Sequence, residues 1–145
     1  MLNEINSKQT SRNEDYVDKA ERLMKELYNV ITTSKLRDLL AQVNELYNDI
    51  ILEPNEKLDE KYVERIRHLK VKMIYDAGRD RQQVTITRRE LRDNPHFKNG
   101  KLTYFFEQTG LLKMVDEIGD SRKKFLDYCK YFEALVAYHK FYGGN

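Results

Sequence analysis

The chain has 145 residues, of which 40% are hydrophobic and 34% charged, and its net charge is only +2. Scarce glycine (six) and proline (two) favour long helices over many short strands. A single cysteine excludes an internal disulfide and a cysteine-based zinc site. The three histidines show no metal-ligand spacing, and no apolar run matches a signal peptide or a membrane span. We therefore predict a cytoplasmic protein without metal or cofactor.

Apolar residues at helical spacing predict three long helices in the first half of the chain. The first follows a capping box formed by Ser11 and Glu14. The second starts at the N-cap cluster Thr32–Ser34. The third begins after Asp59 and stops at Gly78.

The helical pattern breaks at residues 82–101, which read as a basic insertion loop with turn signals. Residues 79–101 hold seven basic and three acidic side chains, so the basic excess of the chain is concentrated there. Short helices follow around 102–108 and 111–118, before a final helix from Ser121 to about Tyr142. We predict one all-α domain, 1–145, built as a compact bundle of about five to six helices with a long C-terminal helix.

The apolar stripes predict which side chains form the core. We expect these residues to be buried: Leu39, Leu40, Val43, Ile66, Leu69, Ile74, Phe125, Phe132 and Leu135. The last helix carries aromatic side chains around its whole circumference, so they cannot all face inward. Four of them are equally compatible with the core and with a base-stacking or protein-binding surface: Tyr131, Tyr138, Phe141 and Tyr142.

The sequence does not predict catalysis. It has no phosphate-binding glycine loop, serine elbow or paired-histidine motif. We interpret His68 as a partly exposed helical residue, His96 as a solvated loop residue and His139 as a hydrogen-bonded core residue. Cys129 lies on the inner stripe of the last helix, where a buried thiol is normally inert. We predict a protein that binds and is not an enzyme.

Three groups of basic residues are candidate binding sites. Lys35 and Arg37 lie in the first turns of the second helix, where free N–H groups and the helix dipole favour a phosphate. Arg79 and Arg81 lie at the mouth of the basic loop. Arg122–Lys124 open the last helix, where positive charge opposes the dipole, which hints at a use other than stability. Each group is also compatible with plain solvated charge.

Three stretches resemble the small subunit of Csm-type (type III-A) CRISPR effector complexes. Thr32–Leu40, TTSKLRDLL, is similar to the start of a helix in that family. Tyr75–Asp80, YDAGRD, is similar to its YEAGRD turn. Ser121–Gly144, SRKKFLDYCKYFEALVAYHKFYGG, is similar to its C-terminal signature helix. Order and spacing agree over residues 16–80 and 102–144, whereas the segment 82–101 is longer than that family has there.

The resemblance implies a helical, non-catalytic subunit that stacks in several copies beside the subunits holding the guide RNA. Its basic face would follow paired guide and target RNA, with Lys35, Arg37 and Arg79 on the RNA backbone. Further candidates are Arg81, Arg122, Lys123 and Lys124. As exposed charges, the first three should be replaceable by Ala with little loss of stability. The alternative is a helical protein–protein adaptor that touches no RNA.

Overall fold

A computed structural model describes residues 14–80 and 100–145. This part of the chain contains no strand and six helices: α1 (Tyr16–Leu27), α2 (Thr33–Ile50), α3 (Glu60–Asp80), α4 (Lys101–Thr109), α5 (Leu111–Glu117) and α6 (Arg122–Phe141). The predicted all-α bundle with a long C-terminal helix is therefore confirmed. The predictions on Ser11, Arg81, His96 and most of the insertion loop lie outside the described residues.

Side-chain caps set the start of three helices. At α2 the hydroxyl of Thr32 accepts a hydrogen bond from the N–H of Lys35 at 3.3 Å, as its position predicts. Ser121 caps α6 in the same way. Helix α1 instead begins after Asp15, whose carboxylate accepts from the N–H of Val17. The Glu14 side chain pairs with Arg22, and Ser11, the other residue of the predicted capping box, lies outside the described residues.

Helix α3 continues through Gly78, where the sequence predicts a stop. The stop is wrong because Gly78 does not adopt the positive φ of a helix-ending glycine, whereas Gly110 and Gly119 do, at 78° and 57°. The described part of the helix extends to Asp80, whose carboxylate is held by groups from α2 and α4.

Helix α6 is the centre of the bundle, since it packs against α1, α2 and α5. It runs antiparallel to α2. At one end the N–H of Thr33 donates to the main-chain oxygen of Asn145. At the other end the guanidinium of Arg122 donates to the carbonyl of Ile51 at 3.1 Å. The start of α2 therefore lies beside the end of α6, and the end of α2 lies beside the start of α6.

The predicted core is mostly confirmed. These residues are buried as expected: Leu39, Val43, Ile66, Leu69, Phe125, Phe132 and Leu135. Leu40 is half-buried. Ile74 is 49% exposed, and its prediction is wrong because Met73 and Ala77 take the inward positions of that turn of α3. Tyr131 is buried and donates to the carbonyl of Thr109 at 2.7 Å.

Aromatic residues near the end of α6 are less enclosed. Phe141 is 76% exposed, and Tyr138 and Tyr142 are half-buried. Among the described residues no helix is long and apolar enough to cross a membrane.

The segment Gly143–Asn145, which we call the C-terminal clamp, folds back over the start of α2. His139 is 1% exposed, and its Nε2 lies 2.7 Å from the carbonyl oxygen of Ile31, which confirms a satisfied core histidine. Gly144 packs on the imidazole so closely that a Cβ there would overlap the ring. The hydroxyl of Thr33 donates to the carbonyl of Gly144 at 3.2 Å. The clamp thus joins α6 to α2.

The two remaining side chains with reactive potential behave as expected. His68 is exposed on α3. Cys129 is buried, and burial raises the pKa of its thiol to about 12. A thiol that stays protonated at neutral pH is a poor nucleophile, so Cys129 is a packing residue.

Candidate nucleic-acid interface

Lys35 and Asp80 form an ion pair that was not predicted from the sequence. The ammonium of Lys35, in the first turn of α2, pairs with one carboxylate oxygen of Asp80 at the end of α3. The other oxygen accepts a hydrogen bond from the N–H of Leu102 at 2.9 Å, in the first turn of α4. Asp80 is only 8% exposed. The pair therefore ties three helices together, and Lys35 is not the exposed charge that its sequence context predicts.

Arg79 lies beside this pair. With Lys35 it lines a cavity of about 290 Å³, whose other charged walls are Asp38, Asp76 and Asp80. Carboxylates outnumber cations there, so the cavity itself does not attract an anion. The guanidinium of Arg79 is exposed, with its carbon 5.7 Å from the centre of the Tyr75 ring. Its outer edge remains available to a phosphate.

Arg37 faces a different direction from Lys35. Successive residues of an α-helix are rotated by about 100° around its axis. Lys35 and Arg37 are two residues apart on α2, so they are separated by about 200° around that axis. Arg37 is exposed and makes no ion pair within residues 14–80 and 100–145. Lys35 and Arg37 therefore cannot share one phosphate, and each would have to meet a different one.

The N-terminus of α2 is largely occupied by the protein itself. The N–H of Thr33 donates to the main-chain oxygen of Asn145 in the clamp, and the N–H of Lys35 donates to the hydroxyl of Thr32. Of the first three N–H groups, only that of Ser34 has no partner in the part of the chain that is described. Any phosphate contact here would depend on side chains more than on the helix end.

The third basic group, Arg122–Lys124, lies at the opposite end of the bundle. Helix α2 has 18 residues, which corresponds to about 27 Å at 1.5 Å per residue. The group is separated from Lys35 by roughly this length, since Arg122 contacts the last turn of α2. The three groups predicted from the sequence therefore do not converge on one site.

A glutamate explains why cations are found at the N-terminus of α6. The carboxylate of Glu56 accepts from the hydroxyl of Ser121 at 2.8 Å and from the N–H of Lys123 at 3.1 Å. These hydrogen bonds, with the charges of Arg122 and Lys123, hold the pKa of Glu56 below its ordinary value. The acidic cap offsets the unfavourable placement of positive charge, so the group has a structural partner.

Glu56→Gln should lower stability at neutral pH, and the difference from the wild type should shrink on acidification. A carboxyl whose pKa is lowered by folding stabilises the native state above its unfolded pKa of about 4.3. This contribution is lost as the pH falls through the lower folded value. Urea denaturation from pH 7 to pH 3 measures it. Glu45→Gln, at an exposed glutamate without an ion pair among the described residues, is the control. A loss of stability in Glu56→Gln that is the same at every pH would contradict an electrostatic origin of that loss.

No metal centre is found in the described ranges, where no three His, Cys, Asp or Glu side chains are grouped to hold an ion. Arg81, the remaining predicted contact, lies outside those ranges.

Comparison with known proteins identifies the family. The model of the type III-A Csm2 family matches residues 10–145. The chain belongs to this family. It is 39% identical over 118 residues to the CRISPR system Cms protein Csm2 of Enterococcus italicus, covering 80% of this chain and 71% of that relative. It is 33% identical to Csm2 of Streptococcus thermophilus (91% and 94% covered) and 31% identical to Csm2 of Mycobacterium tuberculosis (88% and 91% covered).

Membership in the Csm2 family confirms the resemblance to a Csm small subunit. The structure adds two residues of this Csm2-family chain that sequence patterns did not reveal. Asp80 pairs with Lys35, which lies 45 positions earlier in the chain. Glu56 caps α6, whose first residue lies 66 positions after it. The only signal for Glu56 in the sequence is the run of cations at the start of α6, because positive charge at a helix N-terminus is unfavourable unless an acidic residue lies nearby.

Proposed function

We propose that the chain is the non-catalytic, RNA-binding small subunit of a type III-A CRISPR effector complex. Several copies stack along the paired guide and target RNA, among the other subunits of the complex. Each copy contacts the RNA backbone without preference for sequence. A subunit that must accept any target is expected to read phosphates and helix shape, because base pairing between the two RNAs supplies the specificity.

One observation carries this proposal: Arg37 and Arg79 are both exposed at the end of the bundle where α2 begins and α3 ends. Neither forms an ion pair with a described residue. Family membership supports the same reading. Arg79 lines the cavity beside Lys35 and Arg37 does not, which suits contacts to separate phosphates along a strand. Lys35 keeps part of its surface exposed, and an ammonium has donors left after pairing with Asp80.

The test is the salt dependence of RNA affinity for the double variant Arg37→Ala/Arg79→Ala. Loss of each phosphate contact should flatten the slope of log affinity against log salt by about 0.7 for single-stranded RNA. Unrelated RNA sequences should lose affinity equally. Lys25→Ala/Lys130→Ala removes the same charge from two exposed lysines elsewhere and should leave the slope nearly unchanged.

An unchanged slope in the arginine variant would exclude these residues as the RNA contact. A loss confined to some RNA sequences would show base readout and contradict backbone tracking. If the wild-type protein binds no RNA, alone or with its partner subunits, the alternative of a protein–protein adaptor is the correct one.

A further inference from the structure

The end of α6 presents an aromatic side chain to solvent. Phe141 is 76% exposed, more than any other aromatic residue in the described part of the chain. From the sequence alone it is equally compatible with the core and with a base-stacking or protein-binding surface. The structure excludes the core, which leaves the two binding roles to be weighed.

Neighbouring aromatic rings hold Phe141 in place. Its ring packs edge-on against that of Tyr142, with the ring centres 5.2 Å apart and an interplanar angle of 74°. Tyr142 stacks on Tyr138, with the ring centres 6.2 Å apart, and its hydroxyl donates to the carboxylate of Glu21 on α1 at 3.2 Å. The row of rings is thereby anchored to a second helix. A ring that is already held loses little conformational freedom on binding, so Phe141 is a preorganised contact.

Lys140 supplies a cation beside this ring. It is exposed and makes no ion pair with a described residue. It follows Arg122 by 18 residues, which is five full turns of an α-helix, so the two residues lie on the same side of α6. The guanidinium of Arg122 donates to the carbonyl of Ile51 at the end of α2. Lys140 therefore lies on the side of α6 that faces α2.

Arg37 supplies a second cation from α2. The N–H of Thr33 donates to the main-chain oxygen of Asn145, and Arg37 and Phe141 each lie four residues from that contact. Because α2 and α6 run antiparallel, Arg37 and Lys140 lie at about the same level of the bundle. Arg37 is exposed and forms no ion pair within the described ranges. Two unpaired cations and an exposed ring are therefore gathered at one end of the bundle.

Acidic groups near this end are engaged or distant. The carboxylate of Glu21 is bonded to a tyrosine hydroxyl, and the main-chain oxygen of Asn145 is bound at the positive end of α2. Asp38 lines a cavity on the α3 side of α2. Glu133, the last acidic residue of α6, lies two turns before the exposed lysine, which corresponds to about 10 Å. The charge left free beside Phe141 is therefore positive.

We infer that Phe141 stacks on an unpaired base of an RNA strand whose phosphates lie on Arg37 and Lys140. The inference rests on the proposed RNA binding and adds to it a contact with a base. Every base has a π-face, so stacking on an aromatic ring carries no sequence preference. A base within a duplex is already stacked between its neighbours, so this ring takes single-stranded RNA.

A protein partner explains this surface less well. An apolar interface needs a contiguous patch, whereas the exposed neighbours of Phe141 along the chain are Ala137, Lys140 and Gly143. A nucleotide needs only one ring for its base and a cation for its phosphate. One aromatic ring with cations beside it matches that requirement.

The first test compares Phe141→Leu with Phe141→Tyr in binding of the full chain to short single-stranded RNA of mixed sequence. Leucine keeps an apolar side chain but has no π-face, so affinity should fall by about 5- to 150-fold. Tyrosine keeps the ring and should bind as the wild type does. Neither change alters charge, so the slope of log affinity against log salt should stay at its wild-type value. Tyr16→Leu is the matched control, because it removes an aromatic ring that is 42% exposed at the start of α1, and it should leave affinity unchanged.

The second test uses fluorescence. The chain has no tryptophan, so Phe141→Trp introduces the only one. Stacking on a base quenches the fluorescence of an indole ring. Saturating single-stranded RNA should therefore quench the emission of this variant, and a fully paired RNA duplex should not. Tyr16→Trp, the control, should respond to neither RNA.

Three outcomes would overturn the inference. Wild-type affinity in Phe141→Leu, together with a loss in Arg37→Ala/Arg79→Ala, would show that RNA binds without the ring. Equal quenching by single-stranded and duplex RNA would show a contact other than stacking on an unpaired base. Normal RNA binding with loss of co-purification with the other subunits would assign Phe141 to a protein contact. Absence of RNA binding in the wild type is a different result, since it would overturn the proposed function and the inference with it.

Discussion

Replacing Phe132 with Ala should destabilise the protein by about 3–5 kcal/mol, the range for removing a large aromatic side chain from a core. Phe132 is fully buried on α6, the helix against which most of the bundle packs. Its ring lies edge-on to that of Tyr128, with the ring centres 6.2 Å apart. Truncation would leave a cavity beside the Tyr128 ring, around which the surrounding structure relaxes only partially.

Urea denaturation followed by circular dichroism measures this loss. Phe141→Ala is the matched control, since it makes the same chemical change on the same helix at a position that is 76% exposed. The control should stay within about 0.5 kcal/mol of the wild type, as surface substitutions usually do. Equal effects of the two changes would contradict the inward face assigned to α6.

Asp80→Ala should also destabilise the protein strongly, and Asp80→Asn should destabilise it less. The alanine variant leaves the N–H of Leu102 buried without an acceptor, which costs about 1–3 kcal/mol. It also leaves Lys35 without its partner. Asparagine keeps an acceptor for Leu102 and removes only the charge. Denaturation of both variants, together with Lys35→Met and the double variant Lys35→Met/Asp80→Asn, measures the coupling between the two side chains.

The same variants separate the structural role of Lys35 from a role in RNA binding. Both Lys35→Met and Asp80→Asn break the ion pair, whereas only Lys35→Met removes the cation. A contact between Lys35 and a phosphate predicts weaker RNA binding in the first variant alone. Equal RNA affinity in the two variants would assign Lys35 to the fold only.

Much of the fold was predictable because it depends on local signals. Apolar spacing identifies each helix, and the hydroxyls of Thr32 and Ser121 mark the starts of α2 and α6. Gly119 ends α5 with the positive φ that glycine adopts easily. These are contacts within a few residues, which a sequence displays directly.

The errors arise where contacts across the fold override local preference. Glycine is the residue type that often ends a helix. Helix α3 nevertheless continues past Gly78 to Asp80, which is anchored by α2 and α4. Ile74 is apolar, but the geometry of packing against α4 and α5 turns it outward. The candidate site shows the same limit, because the sequence around Lys35 does not reveal that Asp80 is its ion-pair partner.

The position of α6 has a consequence for the order of events during protein synthesis. Of the six described helices, the one on which α1, α2 and α5 pack is the last to be synthesised. The start of α2 is completed only by Gly144 and Asn145, more than 100 residues later. Helices α1 and α2 therefore lack their main packing partner until α6 has been made, and contacts of such long sequence separation form slowly. Packing of the bundle should therefore be completed only after α6 is made, with exposed apolar stripes on α1 and α2 before that point.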